Sequence, residues 1–186
     1  MGINQKIMTE DKYLEIKDGY VNNIKKYIAE EGNIFPHLTI FANPKDNPEE
    51  NAIIHVPIES KFMASEETKE HFMKEVVPTL AIELKKKFIP KGVAWTSEAW
   101  VRVFDKEEGV SKDWKSKPIK KEVLIINIEF EYKKEFLLFE IKRHGKQVNE
   151  EGNLTDYVEL VEEDFSGAES MSGRFTNLYQ KIIADK

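Results

Sequence analysis

The chain has 186 residues, with 28 Lys plus Arg against 34 Asp plus Glu, a formal charge of −6. It contains no cysteine, which excludes disulfides, thiolate metal sites and cysteine nucleophiles, and its acidic balance argues against duplex DNA, which needs a basic face. No apolar run reaches the roughly 18 residues of a membrane-spanning helix, and the first twenty residues lack the apolar centre of a secretory leader, so a cytoplasmic protein without a membrane partner is expected.

The first element is a helix from about Thr9 to Glu31. Tyr13, Ile16, Tyr20, Ile24 and Tyr27 recur at steps of three and four, and Gly32-Asn33 supplies a stop. Two strands follow, Phe35 to Ala42 and Ala52 to Ile58, joined through the turn residues NPKDNPEEN. A second helix starts at Ser65 as N-cap, with Glu66 and Glu67 in its first turn and Lys85 to Lys87 in its last. Pro78 falls inside it and predicts a kink or two shorter helices.

The strongest β region comes next: Gly92 to Phe104, Val123 to Tyr132 and Phe136 to Arg143, then a short strand at Tyr157 to Val161. A tight turn at Lys133-Lys134 pairs Ile128 with Phe139, Phe130 with Leu137 and Ile126 with Ile141. Residues 105–121 and 164–173 are expected as mobile loops, and Arg174 to Ala184 as a closing helix. Strands that follow strands predict one α+β domain over 1–186. Its sheet is mainly antiparallel, of five to six strands, with helices packed on one face. The expected core includes Trp95, Ile126, Ile128, Phe130, Leu137, Phe139 and Ile141.

The other sheet face is where function is sought. In the expected register it carries Asn127, Glu129, Glu131, Leu138, Glu140 and Lys142, together with Thr96, Glu98, Trp100 and Arg102 from the long strand. Such a face is either solvated or a contact surface anchored by Trp100 and Arg102, residue types favoured as anchors. Trp114, among the lysines of 112–121, either caps the core or contacts a partner or a phosphate-bearing ligand. Residues 112–121 carry a net +4 and residues 147–170 eight carboxylates without Lys or Arg, a pattern of two solvated surfaces or of complementary patches. His37 and His55 lie on paired strands; with Ala42 opposite Ala52, Thr39 faces His55 and His37 is diagonal to it, so the two are either hydrogen-bonded core histidines or two ligands of a metal.

Glu140-Ile141-Lys142 resembles the E-x-K half of the restriction-endonuclease-like pattern. The resemblance implies Mg²⁺ held by acidic groups, here Glu129 and Glu140, with Lys142 supporting the attacking water. The stretch Trp95-Thr96-Ser97-Glu98-Ala99-Trp100, with Lys121-Glu122-Val123-Leu124-Ile125 and Gly173-Arg174-Phe175-Thr176, resembles uncharacterised bacterial and tailed-phage proteins. That resemblance implies a viral accessory origin and carries no activity. The resulting expectation is a non-enzymatic binding protein that contacts a host protein or a small phosphate-bearing ligand without a cofactor. The alternative is a Mg²⁺-dependent phosphodiester hydrolase. A homodimer is also expected, through Trp100 with Leu138, Val123 and Ile125 beside it.

Overall fold

A computed structural model describes residues 9–103, 119–148, 151–162 and 177–183. Helix α1, Glu10–Glu31, begins at the Thr9 N-cap, whose hydroxyl accepts from the Lys12 N–H at 3.3 Å. Strands β1, His37–Pro44, and β2, Ala52–Pro57, form the first hairpin. Helix α2, Glu66–His71, opens with a capping box between Ser65 and Thr68. A π-turn over Phe72–Val76 leads into helix α3, Val77–Lys87. Strands β3, Phe88–Val103, β4, Ile119–Phe130, β5, Lys134–Val148, and β6, Leu154–Glu162, precede the short helix α4, Leu178–Ile182. The sheet order is β2-β1-β3-β4-β5-β6, and the chain is an α+β protein with an antiparallel sheet.

The break expected at Pro78 takes the form of the π-turn. Proline has no N–H to give the preceding turn, and its ring crowds the carbonyl four residues back. Widening one turn to an i→i−5 bond, Val77 N–H to Phe72 O, absorbs the misfit without ending the helix. The Thr79 hydroxyl donates to Glu75 O at 2.8 Å on the turn that follows.

The chain divides into two compact units, Met1–Asn33 with Arg143–Glu159, and Ile34–Lys142 with Leu160–Lys186. In the first, α1 ends at Gly32, whose left-handed φ of 78° suits glycine. Its last turn holds no basic residue. The carbonyls there accept instead from strand side chains, Ala29 O from Gln147 Nε2 at 2.8 Å and Gly32 O from the Arg143 guanidinium. Arg143 thus places a cation at the negative end of the helix dipole.

In the second unit one sheet face carries Leu38, Ile40, Val93 and Trp95. Helical Phe72, Met73, Val77, Ala81, Leu178 and Ile182 join them in a single buried cluster. Each of the larger aliphatic and Phe side chains contributes on the order of 1.5–3 kcal/mol by leaving water. The opposite face is buried as well, with Thr39, Thr96, Leu124, Ile126, Ile128 and Phe139 all at 1% exposure or less.

Two corrections concern register. The β4–β5 turn is Glu131-Tyr132, closed by Phe130 N–H to Lys133 O at 2.7 Å, and not Lys133-Lys134. Ile126 therefore faces Leu137, and Leu124 faces Phe139. Each strand slides by two residues, so every side chain keeps its face while its partner changes. The second correction is larger. Trp95 lies opposite Asn127 and Thr96 opposite Ile126, so Trp95 shares the helix face with Glu129, and Thr96, Glu98 and Trp100 share the other face with Ile126. The single polar face expected from the sequence is divided between the two sides of the sheet. Phe175 and the two expected loops lie outside the described residues, apart from 119–121, which open β4.

Gly92 has a packing reason. A Cβ there would lie 2.4 Å from the Phe130 ring, which stacks on Phe41 at a centroid distance of 5.3 Å. Gly92→Ala is expected to lower the unfolding free energy by about 1–3 kcal/mol through overpacking. Adding Phe130→Leu should recover part of that loss in urea titrations, because the obstructing ring is gone.

Candidate functional site

Glu129 is the one acidic side chain buried to 1% exposure among the described residues, and its neighbours explain why it is tolerated. Its strand neighbour Asn127 donates from Nδ2 to Oε1 at 3.0 Å. The backbone N–H of Tyr179, in the first turn of α4, donates to Oε2 at 2.9 Å. A buried carboxylate is acceptable when hydrogen bonds replace its water shell. Here one of those donors is an N–H that a helix start leaves without an intrahelical acceptor.

The surroundings continue this anchoring. Asn177 precedes α4 in a left-handed conformation with φ 56°, and its Oδ1 accepts from Lys134 Nζ at 2.6 Å. Burial holds the Lys181 amine below the ordinary lysine range, with the negative charge of Glu129 pulling the other way. Burial pushes the Tyr179 phenol up, and the charge of Glu131 adds to it. Glu129 therefore ties α4 to the middle of the sheet.

The constellation Glu129, Glu140 and Lys142 does not converge. Glu129 lies opposite Lys134, whereas Glu140 lies opposite Val123, six residues further along β4. At about 3.3 Å per residue the two carboxylates are roughly 20 Å apart, too far to share one ion. Glu140 is instead paired with Lys121 at 3.1 Å, and Lys142 is exposed. Among the described residues no group of three or more His, Asp or Glu is placed to hold a metal.

His37 and His55 do come together, and the expected alignment of Ala42 with Ala52 and Thr39 with His55 is the one observed. Their rings meet edge-on at 5.9 Å. Each has a hydrogen-bond partner, His37 Nδ1 donating to Phe35 O at 3.0 Å and His55 Nδ1 sharing a bond with Thr39 Oγ1, also at 3.0 Å. Burial holds the His37 pKa below the ordinary histidine value, and the neighbouring His55 works in the same direction.

The contact residues have different fates. Trp100 stands 69% exposed with Glu122 across from it on β4. Glu98, two residues before it on the same face, accepts the backbone N–H of Ile34 at 2.8 Å and so tethers the segment entering β1. Arg102 lies in β3 opposite Lys120. Trp114 lies outside the described residues. The apolar neighbours expected for Trp100 are on the other side of the sheet, where Val123 is fully buried and Leu138 is 4% exposed. Val123 and Leu138 of the expected dimer strip are therefore interior, and Ile125 beside them is half-buried.

The anchoring role of Glu129 was the feature hardest to anticipate. Its signal was Ile-Asn-Ile-Glu-Phe in β4, polar residues alternating inside an apolar strand, beside a closing helix that needed a surface to cover. Glu129→Ala removes the acceptor shared by Asn127 and Tyr179 N–H. It is expected to cost about 2–3 kcal/mol and to speed amide exchange at Tyr179, measured by mass spectrometry.

The lowered His37 pKa has a defined sign. The folded chain binds fewer protons at His37 than the unfolded chain does. The stabilisation is full above the unfolded value of 6.5 and is lost as pH falls through the lower folded value. The difference in urea stability between pH 7.5 and pH 5.5 should therefore shrink in His37→Asn.

Compared with family models, with curated proteins and with solved structures, the chain matches none of them.

Proposed function

We propose that the protein is a non-enzymatic binding protein that contacts another protein through Trp100, in keeping with its resemblance to phage accessory proteins. The observation that carries this reading is Trp100 itself, 69% exposed on the sheet with Glu122 across from it. A large exposed indole gains from desolvation against a partner, and a carboxylate beside it selects a basic one. Lysine or arginine on that partner can lie over the indole face and meet Glu122 together. Arg102 and Lys120 lie on the same face two residues further along their strands, and they are what a phosphate-bearing ligand would meet instead. The lysines of 112–118 that favoured such a ligand lie outside the described residues. The proposal includes self-association as a homodimer and a place in the host cytoplasm.

The competing reading is the Mg²⁺-dependent hydrolase on Glu129, Glu140 and Lys142, which the separation of the two carboxylates disfavours. Two measurements decide between them. Immobilised wild-type protein should retain a basic host protein that Trp100→Ala retains about 30-fold more weakly, as for an anchor worth roughly 2 kcal/mol, with unchanged thermal unfolding. Equal retention by both would refute the Trp100 surface. DNA or RNA cleavage with Mg²⁺, lost in Glu140→Ala, would establish the hydrolase instead.

A further inference from the structure

We propose that β2 is the surface through which two copies of this chain pair, edge to edge and antiparallel, with the two-fold axis passing between the two His55 residues. This deepens the self-association proposed above and leaves Trp100 out of it.

Among the described residues strand β2 ends the sheet, with β1 as its neighbour on one side. An edge strand offers a row of backbone donors and acceptors to any second strand, and proteins blunt such edges with charge, proline or bulges. The two edges of this sheet differ in that respect. Strand β6 carries Asp156, Glu159 and Glu162 in its sequence, whereas β2 is Ala-Ile-Ile-His-Val-Pro, without an acid, a lysine or an arginine. Its one blunting residue is Pro57, at the last position.

The phase of the β1–β2 ladder says which residues face outward. Ile58 N–H donates to Pro36 O at 2.9 Å, which makes that a hydrogen-bonded position. Such positions recur at every second residue in an antiparallel pair. Val56, Ile54 and Ala52 therefore address β1, and the main chain of Ile53, His55 and Pro57 turns to the open side. The Ile53 side chain is 51% exposed.

A second copy fits this edge because the strand is self-complementary about His55. A two-fold axis there sets Ile54 beside Val56 of the other copy and Ile53 beside its Pro57. Ile53 and Pro57 then share main-chain bonds across the axis, and Pro57 needs only its carbonyl. Beyond the strand the flanking side chains are of opposite sign, Glu49 before it and Lys61 after it, with Lys61 also paired to Glu59 of its own chain at 2.7 Å. The six-residue ladder spans about 20 Å. That is short of the footprint of about 800 Å² per partner of a standard stable interface, so the dimer should form over a micromolar range rather than be permanent.

The absence of cysteine gives a direct test. In His55→Cys every disulfide must join two copies at the same position. Residues facing each other at a hydrogen-bonded antiparallel position have Cα atoms about 5.5 Å apart, within the roughly 4.4–6.8 Å that a disulfide spans. Mild oxidation of His55→Cys should yield a covalent dimer that thiol reductant reverses. Ile82→Cys, at a position 63% exposed on α3, should not. Light scattering should show wild-type mass rising with concentration, Ile53→Lys remaining a folded monomer by circular dichroism, and Trp100→Ala still dimerising. A wild-type monomer throughout the micromolar range would overturn self-association altogether. A dimer that survives Ile53→Lys, or an Ile82→Cys protein that crosslinks as readily as His55→Cys, would overturn β2 as its surface while leaving the Trp100 reading untouched.

Discussion

The pairing of β3 with β4 assigns the side chains of the central strands to one side of the sheet or the other. It runs from Gly92 opposite Phe130 to Val103 opposite Ile119. Because successive strand residues point to opposite faces, one choice of parity decides the whole arrangement. With Trp95 opposite Asn127, the indole of Trp95 and the carboxylate of Glu129 go beneath the helices, and Trp100 goes to the other side. Gly92 opposite Phe130 then has to be glycine, since the ring occupies the place of a Cβ.

The cost of that parity is a buried acid. Glu129 leaves water, and the fold answers with Asn127 from the same strand and the Tyr179 N–H in the first turn of α4. The five residues of α4 are too few to be a stable helix by themselves. What holds them is the insertion of Leu178 and Ile182 into the cluster formed by Leu38, Ile40, Val93 and Trp95, together with the carboxylate at the helix start. Polar and apolar anchoring thus act on the same short segment. The polar bond specifies where the segment sits, and the apolar contacts supply most of its stabilisation.

Much of the fold was legible because periodicity and caps are local. The first helix, the Ser65 cap, the break near Pro78 and the alignment of Thr39 with His55 all follow from residues close in sequence. The division of side chains between the sheet faces was not legible, for a physical reason. Both faces of this sheet are buried, so Trp95 and Ile126 are equally apolar and give no sign that they point opposite ways. A long connection between β3 and β4 also leaves parity open, whereas a two-residue turn would set it. The β4–β5 hairpin shows the complementary weakness. A slide of two residues on each strand preserves every face, so the alternating pattern cannot detect it, and that slide is what separates Glu129 from Glu140.

The C-terminal carbonyls of α1 are satisfied by Arg143 and Gln147, more than a hundred residues downstream. During synthesis the helix is made first and its partners emerge late. Until residue 147 has left the ribosome, the carbonyls of Ala29 and Gly32 at the end of α1 can bond only to water. The intervening strands and helices of the second unit can meanwhile begin to order. A chain truncated before Arg143 would therefore keep the Gly32 cap of α1 but lose the cation at its negative end, and the last turn of that helix should fray.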